Sequence, residues 1–158
     1  MSACGGWYLR GTQTNQLPID KVYVSSDSNS YLYSWFVQQL AYSGIAVVGQ
    51  RDQADAVIEL RGERYDRRVL SVDDQTGKVR EMELGLEVEI TVRDAGGNLL
   101  AAPDVVSWQQ DFVFDELSLL GTEEVDTTIR YELAKDAARA LILRLETIDF
   151  SRAGKRAS

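Results

Sequence analysis

Three groups of residues in this chain could do chemistry. The first is Cys4, the lone cysteine, which carries the one thiol. The second is a run of cations, Arg64, Arg67, Arg68, Lys78 and Arg80, with Tyr65, Val69 and Leu70 beside them. Guanidinium forks bind carboxylate or phosphate, so an anionic partner finds a local basic site here. The other reading is a solvated hairpin tip, its charge balanced by Asp66, Asp73 and Asp74. The third group is a row of carboxylates, Glu81, Glu83, Glu87 and Glu89. Glycosidase chemistry needs two carboxyl groups about 5–10 Å apart in a pocket. These acids instead recur along one face of a strand.

What is missing narrows the choice further. The chain has 158 residues, no histidine and a formal net charge of −8. Without histidine there is no Ser-His or Cys-His nucleophile pair and no imidazole ligand for a metal. One cysteine makes neither an internal disulfide nor a cysteine-rich metal site. The acidic balance argues against nucleic acid, which needs a basic footprint. No stretch is long and apolar enough to cross a bilayer as a helix. A second basic stripe, Lys135, Arg139 and Arg144, alternates with Glu132 and Asp136 and reads as a solvated helix face.

The elements that must position these groups follow from periodicity. "KVYVSS" (21–26) alternates like a short strand. "SDSNS" supplies helix N-caps, and Leu32, Trp35, Phe36, Gln39 and Leu40 then recur at helical spacing up to Gly44. "IAVVG" is a candidate short strand after that helix, and a longer strand opens at Val57, Ile58 and Leu60. "DDQTGK" (73–78) is a turn. Met82, Leu84, Leu86, Val88, Ile90 and Val92 then hold every even position of a strand with polar odd positions. Val106, Trp108, Phe112 and Phe114 share one face of the next strand. From Thr122 the period lengthens: Val125, Ile129, Leu133, Ala137, Leu141, Leu145 and Ile148 line one side of a helix.

The expected architecture is α+β: a two-layer sandwich with both helices on one face of a four-stranded mixed sheet, in the order β-α-β-β-β-α. Residues 1–18 read as a tether, 19–150 as a single α/β domain and 151–158 as a flexible tail. The first strand and the strand opening at Val57 are expected to be parallel neighbours. The other sheet face is left bare. If the 73–78 turn sets the register, Arg61 and Arg67 stand opposite some of the glutamates. This face is either plain solvent surface or a surface that docks inside a polar cavity.

The cysteine ties these observations together. "S-A-C-G" resembles the end of a bacterial lipoprotein leader, where small residues precede a thiol that receives diacylglycerol. The bland alternative is an incidental cysteine in a frayed N-terminus. The wider stretch "CGGWYLRG" resembles the mature start of the LptE family of lipopolysaccharide-assembly lipoproteins, Cys-Gly-aromatic-x-Leu-Arg-Gly. Cys4, Gly5, Trp7, Leu9, Arg10 and Gly11 match, with Gly6 as one extra residue. "VQQLAYSGIAVV" resembles the family's first helix and "KDAARALILRL" its closing helix. The likeness covers about residues 4–150.

The resemblance implies an outer-membrane lipoprotein on the periplasmic side, anchored through Cys4. Gly5 in place of Asp leaves out the inner-membrane retention signal. It implies a plug inside the LptD β-barrel, one to one, that supports assembly of the barrel and binds lipopolysaccharide. It implies no catalysis, no cofactor and no metal. Lipopolysaccharide bears phosphates on an acylated disaccharide, so Arg64, Arg67, Arg68, Lys78 and Arg80 become the candidate contacts. The alternative is an interaction module of another cell-envelope complex with a similar shape.

Overall fold

The computed structural model describes residues 17–113 and 122–152. Cys4, Phe114, most of the tether and most of the tail lie outside the described residues. The element order is β1 (Lys21–Ser26), α1 (Tyr31–Tyr42), β2 (Ala46–Val47), β3 (Ala56–Val72), β4 (Val79–Asp94), β5 (Leu99–Val113) and α2 (Thr122–Leu145). Short 3₁₀ turns lie at Arg51–Gln53 and Phe150–Arg152.

The ends of α1 are set by local chemistry. The Ser30 side chain accepts the Tyr33 N–H at 3.2 Å, satisfying a donor of the first turn. At the other end Gly44 takes φ +80°. The Ile45 N–H then reaches Leu40 O at 3.0 Å and the Gly44 N–H reaches Ala41 O at 3.0 Å. This is a Schellman cap, which needs a residue free to turn left-handed. Leu32, Phe36 and Leu40 face inward, as their spacing predicts.

The sheet has five strands in the order β2-β1-β3-β4-β5. The expectation of four is corrected by β2, which pairs parallel with β1 through Lys21↔Ala46 and Val22↔Val47. Two residues are too few to show a period. Its pairing follows from the Gly44 cap, which turns the chain so that the Ala46 N–H meets Asp20 O and the Val48 N–H meets Val22 O, each at 2.8 Å. β1 and β3 are parallel neighbours, as expected, and β3-β4-β5 form an antiparallel meander.

Both helices lie on one face. Leu84, Leu86, Val88, Ile90 and Val92 of β4 join Ile129, Leu133, Leu141 and Leu145 of α2 in one core with the buried residues of α1. Each such side chain contributes on the order of 1.5–3 kcal/mol. Ala134, Ala137 and Ala138 are fully buried on α2. Small side chains there let the helix come close to its neighbours. Leu17, read with the tether, is buried in the core beside Ile19.

One irregularity decides the chemistry of the meander. β3 and β4 pair as Arg61↔Glu89 and then as Arg64↔Glu87, so β3 holds one residue more than β4 across this step. This is a β-bulge, and it inverts the parity of β3 from Arg64 to Val69, where the register next shifts. Gly62 forms it at φ +63°. The Gly62 N–H, turned out of the ladder, donates to Asp27 Oδ2 at 2.8 Å. Gly62→Val is expected to cost roughly 1–2 kcal/mol or more, because a β-branched residue resists this conformation. A thermal melt should show a drop of several degrees; an unchanged melting temperature refutes the role given to the bulge.

Candidate functional site

The bulge sorts the predicted cations onto different faces. Before it, odd residues of β3 point away from the helices; after it, even residues do. Arg61, Arg64 and Arg68 therefore stand on the open sheet face, opposite Glu89, Glu87 and Glu83. Arg64 Nη2 lies 2.7 Å from Glu87 Oε1, and Arg68 is ion-paired with Glu83. Arg67 departs from expectation. It pairs in register with Leu84, on the helix side. From there it bridges to Asp126 of α2, which also accepts Arg130 Nε at 2.8 Å. An inserted residue has exchanged the roles of neighbours.

Lys78 and Arg80 sit at the turn between β3 and β4. Arg80 Nε donates to Asp73 Oδ2 at 3.0 Å. Arg80, followed by the N–H and hydroxyl of Thr76 and the Gln75 N–H, holds the Asp73 carboxyl well below the usual carboxylate range. Lys78 is exposed at the same turn. The five predicted residues thus divide into an open-face pair, a turn pair and one bridge to α2. Exposed pairs of this kind are screened by solvent and add little to stability.

A second gathering of arginines lies elsewhere on the open face. Glu59 of β3 is 7% exposed. Arg51 Nη2 lies 2.6 Å from its carboxylate, Arg93 Nε 3.5 Å and Arg61 Nη2 3.7 Å. Glu59 is thus shared among three guanidinium groups, with Glu89 opposite Arg61 on the same face. Arg51 comes from the 3₁₀ turn, Arg61 from β3 and Arg93 from β4. Nothing in the sequence joins three residues so far apart. One signal was present: Glu59 interrupts the apolar run "AVIEL", and a charge inside a strand buried on both faces needs partners.

The arrangement can bind anions and can present charge to a polar wall. Among the described residues no group of His, Cys, Asp and Glu is placed to hold a metal ion. No helix of the described residues is long and apolar enough to cross a membrane, which says nothing of strands.

Known proteins share this fold. The family profile of LptE, Lipopolysaccharide-assembly, matches residues 19–145. Lipoprotein B from Nitrosomonas europaea, known from solution NMR, shares the fold with a TM-score of 0.71, 24% identity and coverage of 87% of this chain and 88% of that one. Rare lipoprotein B from Shewanella oneidensis aligns with a TM-score of 0.68 and 23% identity, over 80% of this chain and 93% of that one. A minor lipoprotein from Acinetobacter baumannii gives 0.65 and 19%, over 82% and 92%. No curated protein matches the chain in sequence. At these identities the structures speak for the fold alone. The family match spans everything from Ile19 to the end of α2, and on it the chain belongs to the LptE family, whose role is in lipopolysaccharide assembly.

Proposed function

We propose that this chain is an outer-membrane lipoprotein, held on the periplasmic side by acyl chains on Cys4, that plugs the LptD β-barrel, supports its assembly and binds lipopolysaccharide. The residues before Leu17 are the leash, and the plug runs from Leu17, already in the core, to the closing 3₁₀ turn. The observation that carries this reading is the family match over residues 19–145. The open sheet face suits it. A barrel lumen is polar. A plug for it must offer charge and hydrogen bonds rather than a greasy surface. Glu83 and Glu87, answered by Arg68 and Arg64, supply such a face.

The lipopolysaccharide phosphates are assigned to Arg64, Arg67, Arg68, Lys78 and Arg80, extended by Arg51, Arg61 and Arg93 around Glu59. Reversing Arg64, Arg68 and Lys78 to Glu should weaken binding of purified lipopolysaccharide by about tenfold or more, since several charge-assisted bonds are lost. The melting temperature should change little. Arg67 is left out of that variant because Glu there would repel Asp126 and loosen α2. Unchanged affinity removes the site. The wider reading is tested by purifying the acylated protein from native outer membranes. LptD should accompany it one to one; a preparation without the barrel overturns the plug.

A further inference from the structure

The bulge also builds a polar cleft on the helix side of the sheet, across from the cations of the open face. It aims Glu63 at the start of α1, where Glu63 Oε2 accepts Ser28 Oγ at 2.9 Å and Ser30 Oγ at 2.5 Å. Further along β3, the hydroxyl of Tyr65 is buried and makes no well-formed hydrogen bond among the described residues, with the Glu63 carboxylate the acceptor beside it. Burial, and then the Glu63 carboxylate, push its pKa up, so it remains a neutral donor. A buried hydroxyl left without a bond is destabilising, and in native proteins such a group usually has a partner or a purpose.

The space beside it has the shape for one. A cleft of about 420 Å³ is lined by Asn29, Ser30, Tyr31, Ser34, Tyr65 and Arg130. That volume lies within the roughly 300–1,000 Å³ of small-molecule sites. Tyr31 is 44% exposed. Tyr131 braces its ring edge-on at 5.7 Å, and Trp35 braces Tyr131 at 5.3 Å. Arg130 lies over the Tyr65 ring, 5.0 Å from its centroid.

The charge balance says what kind of molecule fits. Arg67 and Arg130 are answered by Asp126, and Glu63 adds a further carboxylate. The surroundings are therefore close to neutral and do not select an anion. They offer hydroxyl, amide and guanidinium donors, hydroxyl and amide oxygens as acceptors, and an aromatic wall. A pyranose ring is the complement: its hydroxyls donate and accept, and its C–H face stacks on an aromatic ring. We propose that this cleft is a saccharide subsite that holds one neutral pyranose ring against Tyr31, with ring hydroxyls reaching the Ser34 and Tyr65 side of the cleft. The inference stands on the cleft itself and not on the assignment of the phosphate contacts.

Two sources carry this chemistry, the sugar part of lipopolysaccharide and the cell-wall glycan. The full ¹⁵N-labelled chain is titrated separately with lipopolysaccharide core oligosaccharide stripped of its acyl chains and with chitotriose. Saturable amide shifts at Tyr31, Ser34, Tyr65 and Arg130 are expected with at least one sugar, and that sugar names the source. Tyr31→Ala should weaken its binding about tenfold. Tyr65→Phe should weaken it similarly while the melting temperature holds or rises, because the substitution removes a buried hydroxyl that makes no well-formed hydrogen bond. A hydroxyl with a purely structural role would give the opposite: a lower melting temperature and intact sugar shifts. No saturable shift with either sugar, or full affinity in both variants, overturns the proposal.

Discussion

Val88→Asp is expected to abolish the cooperative thermal transition. Val88 is fully buried, between Leu86 and Ile90 on the helix face of β4, the strand flanked by β3 and β5. It stands opposite Val106 on one side and the bulge on the other. Losing the valine forfeits about 1.5–3 kcal/mol of burial. Placing a carboxyl there costs several kcal/mol more, even when the group protonates to escape ionisation. Together these rival the roughly 5–15 kcal/mol that holds a typical domain folded. The chain has no local way out. Slipping β4 by one residue would bring the new carboxyl to the open face, but it would bury Glu87 and Glu89 in its place. Val88→Ala should keep a cooperative melt at lower temperature, at a cost of about 2 kcal/mol. Circular dichroism on the two variants checks both. A normal melt for the aspartate overturns the assignment of faces.

Cys4→Ala should have the largest effect on location and almost none on folding. In cells that export and process the wild-type protein, the variant should move from the membrane pellet to the periplasmic supernatant. Each acyl methylene buried in the bilayer contributes about 0.8 kcal/mol; one chain gives only reversible attachment, while two or more make release negligible. Removing the attachment point therefore removes the bound fraction nearly completely. The described core begins at Leu17, well past Cys4, so the purified variant should melt like the parent. A variant that stays wholly in the outer-membrane fraction would refute the anchor. A change in melting temperature would place Cys4 in the packing instead.

These two expectations draw on opposite ends of what is written locally in the chain. Val88 belongs to a period of two that runs unbroken along β4, and such alternation names a buried face before any partner strand is known. The cap of α1 was equally open to view. Serines precede Tyr31, and Gly44 stands where the helix must stop. Val106, Trp108 and Phe112 share the helix side of β5, as their alternation implies. The closing helix spans Thr122–Leu145, close to the extent of its apolar period.

The candidate site was less legible, and the reasons are physical. β2 escaped the four-stranded expectation because two residues carry no period, and only the turn at Gly44 brings them beside β1. The exchange between Arg67 and Arg68 follows from one inserted residue at the bulge. Hydrophobic alternation cannot reveal it, because the residues after the bulge are largely polar on both faces. Glu59 announced a need for partners but not their identity, since Arg51 and Arg93 reach it from a turn and from the neighbouring strand.

By itself the sequence determined the type of each long element, the buried face of β4, the two-helix sandwich and the family, because periodicity, caps and short motifs are properties of neighbouring residues. Only the tertiary structure decided which cations share a face, which carboxylate each one meets, and that three arginines gather on Glu59. Those outcomes depend on register and on the meeting of distant segments, where shifting the pairing by one residue sends a side chain to the other side of the sheet.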